Sequence, residues 1–128
     1  MGKNADSVRK FYDAYNRRDW EAVRSLLAPS VEWFHAARAE LVSGVDGVIA
    51  LLRSAAEAFP DARVEVRAIH EAGDCVITEC AYTRAASVSS QQATFCEVEH
   101  FKDGKCIRGS TYADTLQILL ELECRSAA

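Results

Sequence analysis

Pro60 separates two stretches of chain with different apolar periods, and that switch constrains the fold more than any other feature. Before it, apolar residues recur every three or four positions. Val8, Phe11, Tyr12 and Tyr15 predict a helix over residues 7–17, with Asp6 or Ser7 expected to cap it. Asp19 is placed to cap a second, short helix carrying Trp20, Val23, Leu26 and Leu27, which Pro29 should stop. Residues 31–36 predict a short strand. Ser43 to Phe59 predicts a third helix, with Val45, Val48, Ile49, Leu52, Ala55, Ala56 and Phe59 on its apolar face and Gly47 as a weak point. After Pro60 the period falls to two. Val64, Val66 and Ala68 alternate with Arg63, Glu65 and Arg67, and residues 75–84, 93–101 and 105–113 predict three more strands. Gly73-Asp74 and Lys102-Asp103-Gly104-Lys105 are turn signals, the second that of a tight hairpin. The polar Ser87–Gln92 stretch should join two long strands, and Leu116, Leu119 and Leu120 suggest a last helical turn or an apolar tail. Helices and strands are segregated along the chain, which predicts an α+β fold. Three N-terminal helices pack on one face of a curved, mainly antiparallel sheet, in a single domain over residues 1–128.

A net charge of −4 gives no electrostatic case for nucleic acid or an anionic membrane, and no apolar run is long enough to span a bilayer. The five cysteines (Cys75, Cys80, Cys96, Cys106 and Cys124) include no Cys-x-x-Cys pair, so no metal or other cofactor is expected. Reduced thiols and the lack of an apolar leader point to the cytoplasm. Strand 75–83 carries apolar residues on both faces, Ile77 and Ala81 on one and Val76, Cys80 and Tyr82 on the other. A sheet with helices on one side would leave the second face wet, so a two-fold homodimer through the outer sheet face is expected.

Four local motifs in this order resemble the nuclear transport factor 2-like superfamily. They are Phe11-Tyr12-Asp13-Ala14-Tyr15-Asn16-Arg17-Arg18-Asp19-Trp20; Val31-Glu32-Trp33; Gly44-Val45-Asp46-Gly47-Val48; and Phe101-Lys102-Asp103-Gly104-Lys105-Cys106-Ile107 followed by Tyr112-Ala113-Asp114. Within it the chain is most similar to the SnoaL-like group of polyketide cyclases, whose architecture ketosteroid isomerases, limonene epoxide hydrolases and scytalone dehydratases share. The resemblance implies a cone-shaped barrel with a deep pocket between sheet and helices.

The same resemblance implies site residues. Asp114 stands where the cyclases carry an acid–base aspartate, with His100 at the matching separation of fourteen residues. Their facing depends on the hairpin. A two-residue Asp103-Gly104 turn pairs Phe101 with Cys106 and puts them on opposite faces; a three-residue turn puts His100, Arg108, Tyr112 and Asp114 on one face. Glu97 and Glu99 are alternative acids. Glu99-His100-Phe101 is similar to an Asp-His-Phe run in ketosteroid isomerase, whose Asp is a protonated oxyanion donor. The isomerase tyrosine and base positions fall on Phe11 and near Trp33, which argues against steroid isomerisation. Glu99 could instead form a cross-strand ion pair with Arg108. His35, beside Trp33 in the first short strand, could bind or protonate a substrate oxygen. Tyr15, Tyr82 and Tyr112 could donate to a carbonyl, and Tyr15 fits a cyclase pocket tyrosine best.

The expected function is a cofactor-free acid–base enzyme of isomerase, cyclase or dehydratase type, acting on a small apolar, carbonyl-bearing molecule. A non-catalytic ligand-binding or protein-interaction domain of the same fold is the alternative. An epoxide hydrolase is weaker, because no arginine flanked by acids at matching strand positions is present.

Overall fold

The computed structural model describes residues 2–84 and 93–114. The expectations placed on Ser87–Gln92, Leu116, Leu119, Leu120 and Cys124 lie outside the described residues. The helices are α1 (Lys3–Asn16), α2 (Trp20–Ser25) and α3 (Val45–Ala58). The strands are β1 (Leu27–His35), β2 (Glu40–Ser43), β3 (Ala62–Ala72), β4 (Cys75–Arg84), β5 (Thr94–Lys102) and β6 (Lys105–Ala113). They form one open, curved sheet in the order β2-β1-β6-β5-β4-β3, in which only the β1–β6 pair is parallel. The expected α+β architecture is therefore present.

Three local expectations are corrected. Helix α1 starts at Lys3 with Gly2 as its cap, so Asp6 lies inside the first turn, where its charge favours the helix N-terminus. Helix α2 ends at Ser25; Leu27 opens β1 and Pro29 lies within that strand. The β1–β6 ladder is irregular between Leu27 and Glu32, which accommodates a proline that cannot donate to it. Strand β2, which follows a 3-10 turn at Ala36–Arg38, carries no strong apolar alternation and is held by pairing with β1. Asp19 does cap α2, accepting from the Ala22 amide at 3.1 Å. Gly47 has a packing reason: a β-carbon there would lie 2.9 Å from Val42 Cγ1 of β2.

The step after α1 anchors that helix to the sheet. The Asn16 side chain accepts from the Val64 amide at 2.8 Å and donates to the Val64 carbonyl at 2.9 Å. The Arg18 guanidinium donates to the carbonyls of Pro60 (3.3 Å) and Ala62 (3.1 Å). The core then forms where the apolar stripes of α1 (Val8, Phe11, Tyr12, Tyr15) and α3 (Val48, Ile49, Leu52, Ala56) meet the inner face of the sheet.

The hairpin at Asp103-Gly104 decides which residues reach that inner face. It is the two-residue form, pairing Phe101 with Cys106, but Ile107 is an extra residue on β6, so His100 pairs with Arg108 and Glu99 with Gly109. The Glu99–Arg108 pairing is thereby excluded. Beyond the bulge, Phe95, Glu97, Glu99 and Phe101 are buried on the inner face; Cys96, Val98 and His100 alternate with them and point the other way.

Candidate functional site

Three inner-face residues fall on one line across the sheet: His35 of β1 pairs with Thr111 of β6, and Thr111 pairs with Glu97 of β5. Trp33 lies one row below, opposite Gly109. A β-carbon on Gly109 would sit 2.6 Å from Trp33 Cη2, so only glycine lets the indole lie flat on β6. From there Trp33 Nε1 donates to Thr111 Oγ1 at 2.7 Å, and Thr111 Oγ1 donates to Glu97 Oε2 at 2.7 Å. Tyr12 of α1 donates its phenol to the other carboxylate oxygen, Oε1. Two donors thus fix the Glu97 carboxyl, and Trp33 in turn stacks on Phe11 with ring centroids 6.1 Å apart.

This carboxyl opens on a cavity of about 400 Å³ between sheet and helices. Phe11, Trp33, Leu51, Leu52, Phe59, Val64 and Phe95 make most of its wall apolar, and Tyr12, Tyr15, Tyr82, Thr111, His35 and Arg38 bring its polar groups. Its size suits a ligand of one to a few rings. Burial pushes the Glu97 carboxyl above the usual glutamate range, although the Tyr12 and Thr111 hydrogen bonds favour its charged form and oppose the shift. Burial also raises the phenols of Tyr12, Tyr15 and Tyr82, which are therefore neutral donors. Tyr82 interacts with Tyr15, yet the buried Tyr15 oxygen has no partner at hydrogen-bonding geometry among the described residues. Burial and the neighbouring Arg38 lower the His35 imidazole, leaving it neutral.

The expected site residues divide between the two faces. Tyr15, Trp33, His35 and Tyr82 line the cavity. His100 stands on the outer face opposite Arg108 and Cys75; Tyr112 is half exposed there; Asp114 is exposed at the end of β6. None of the three lines the cavity. Glu99 does face inward but is buried outside the cavity, and its Oε1 has no partner among the described residues. Burial first, and the Glu97 charge second, push it well above the usual range, which favours its neutral form.

Nothing in the sequence marks Tyr12, Thr111 or Arg38 as functional. Tyr12 and Thr111 read as ordinary members of an apolar stripe and a strand. The signal available was the parity of β5, on which Glu97 alternates in step with Phe95 and Phe101. Among the described residues no cluster of three metal-ligating side chains occurs. The four described cysteines are free thiols, and burial pushes Cys80 up to about 12.

The profile of the SnoaL-like domain matches residues 8–109. No curated protein sequence is significantly similar to the chain. Among solved structures, a provisionally assigned SnoaL-like polyketide cyclase from Jannaschia sp. CCS1 is 19% identical, with a TM-score of 0.83 over 94% of this chain and 91% of that one. IdmH, provisionally a polyketide cyclase from Streptomyces antibioticus, is 21% identical, with a TM-score of 0.82 over 95% and 99%. A provisionally assigned ketosteroid isomerase from Kribbella flavida DSM 17836 is 19% identical, with a TM-score of 0.74 over 87% and 77%. At these identities the likeness establishes the fold and leaves the chemistry to the residues of the cavity.

Proposed function

The chain belongs to the SnoaL-like domain family, and from that premise we propose that it is a cofactor-free acid–base enzyme of isomerase, cyclase or dehydratase type in which Glu97 moves the proton. The observation that carries this reading is a carboxyl group, fixed by Tyr12 and Thr111, in the wall of an otherwise apolar cavity. A carboxyl raised by burial is better matched to taking a proton from carbon than an exposed glutamate is. In the step envisaged, a ligand carbonyl enters the cavity and ionised Glu97 removes a proton from the adjacent carbon. The charge that develops on the carbonyl oxygen needs donors. The Tyr15 hydroxyl, which has no partner at hydrogen-bonding geometry among the described residues, and the Tyr82 phenol, both in the cavity wall, are the candidates. The proton held on Glu97 is then returned to another carbon in an isomerisation, to the alkoxide oxygen formed when the enolate carbon attacks a second carbonyl in a cyclisation, or to a departing hydroxyl in a dehydration.

Deuterium uptake next to the carbonyl of 1-tetralone in D2O tests the proposal. The wild-type protein should accelerate it, with a rate that rises with pH through the raised Glu97 titration, because the base must be ionised. Glu97→Gln should abolish the acceleration while the fold is retained. Uptake unchanged in that variant would remove Glu97 from the mechanism. A module that binds without turnover is the second reading, favoured by the engagement of both Glu97 oxygens with protein donors. Tight binding of the ketone with no exchange at any pH would select it. For assembly, the half-exposed Tyr112 and the partly exposed Ile77 on the outer sheet face support the two-fold homodimer expected from the sequence, which analytical ultracentrifugation would test.

A further inference from the structure

The cavity has an acid in its wall and a cation at its rim, and the two are not paired. Arg38 closes the 3-10 turn that follows β1 and lines the cavity, yet among the described residues no carboxylate lies within ion-pair distance of it. Three other arginines are paired, Arg17 with Asp19 at 3.8 Å, Arg24 with Asp46 at 2.7 Å and Arg67 with Glu65 at 3.3 Å; Arg38 is the one arginine among the described residues that lines the cavity. The turn that presents Arg38 is fixed by its backbone. Ala39 adopts a left-handed φ of 51°, unusual for a residue with a β-carbon, and its amide bonds to the Ala36 carbonyl at 3.1 Å. Beside Arg38, His35 also lines the cavity, and its buried Nδ1 has no partner among the described residues. Glu40, paired with His35 across β1 and β2, acts on the imidazole but makes no ion pair with Arg38.

We infer that Arg38 and His35 form a recognition site for an anionic oxygen group, so that the bound molecule has an apolar body ending in a carboxylate or enolate. A guanidinium with no protein acid to satisfy it offers a planar fork of donors suited to such a group. The imidazole supplies a further hydrogen bond. His35 and Glu97 stand two strands apart in the same row, roughly 10 Å at the backbone. One end of a ligand of one or two rings can therefore rest on Arg38 while a carbon near the other end reaches Glu97. The anion is thus kept away from the Glu97 carboxylate, which would repel it.

This inference rests on the cavity being the substrate site, and the test separates the two claims. Binding of 2-naphthoate and of its neutral isostere 2-naphthamide is measured by calorimetry on the wild-type protein and on Arg38→Gln and Arg38→Lys. Wild type should prefer the carboxylate by about tenfold or more. Arg38→Gln should erase the preference and leave amide affinity within about twofold; Arg38→Lys should keep part of it. Equal affinities in wild type, or a preference that survives Arg38→Gln, overturns the anion site alone. Failure of both compounds to bind overturns the cavity reading, and this inference with it.

Discussion

Glu97 and Glu99 lie two residues apart on the same strand and the same face, and both are almost wholly buried. Their surroundings set them apart. Glu97 sits opposite Thr111, within reach of Tyr12, and looks into a cavity; Glu99 sits opposite Gly109, in the row that Trp33 fills, with one oxygen that has no partner among the described residues. Two acids equally withdrawn from water thus differ in whether hydrogen-bond donors support the charged form and whether a ligand can approach. Burial alone makes a carboxyl neutral and inert. Burial with two donors and an opening makes one that can exchange a proton with something else.

Five substitutions, read as four effects, break or sharpen this contrast. The largest effect is expected for Glu97→Gln, which should slow deuterium uptake by 1-tetralone about 10²- to 10⁴-fold, while Glu99→Gln should keep most of the rate. Equal losses in both would mean that the pair works as a unit. Next comes Gly109→Ala, which places a methyl into the Trp33 ring that lies flat on β6 between Thr111 and the Glu99 row; chemical denaturation should show a loss of about 2–3 kcal/mol. A stable Gly109→Ala protein would mean that Trp33 can turn aside without cost.

The third effect is read in pH dependence. Glu99 is raised on folding, so its contribution is complete below the unfolded-state pKa of about 4.3 and is lost as pH rises towards its folded value. Across that window wild type should lose up to about 1.4 kcal/mol per pH unit relative to Glu99→Gln. Parallel curves would show that Glu99 is not held neutral. The smallest effect is expected from His100→Gln and Asp114→Asn, which alter groups outside the cavity and should each change the exchange rate by less than about twofold, or about 0.4 kcal/mol. A large loss with Asp114→Asn would move the proton-transfer site to the end of β6.

The outcome for Asp114 and His100 bears on how much of the site could be read in advance. The resemblance to cyclases implies an acid and a histidine on the last two strands, and the turn residues between them allow two registers. The molecule takes the two-residue turn of one register and then inserts Ile107, which restores the shared facing of the other. His100 and Tyr112 therefore stand on the same face, but it is the face turned away from the cavity. Tyr15, Trp33, His35 and Tyr82 were legible because helical and strand periodicity point them towards the core. Thr111 and Arg38 were not, since a threonine in a strand and an arginine in a turn have no pattern that separates them from their neighbours.

The sequence alone determined the element types and their order, except for the 3-10 turn and strand β2, because apolar period and turn chemistry act over a few residues. It also placed Glu97 and Glu99 on one side of β5, since alternation along a strand is local. The tertiary structure decided which side that was and what stood opposite. One extra residue on β6 reverses facing along the rest of a ladder, and the parallel pairing of β1 with β6 carries Trp33 and His35 next to residues far along the chain. An acid becomes a site only when such distant strands supply its donors and leave room beside it, and no local rule fixes either.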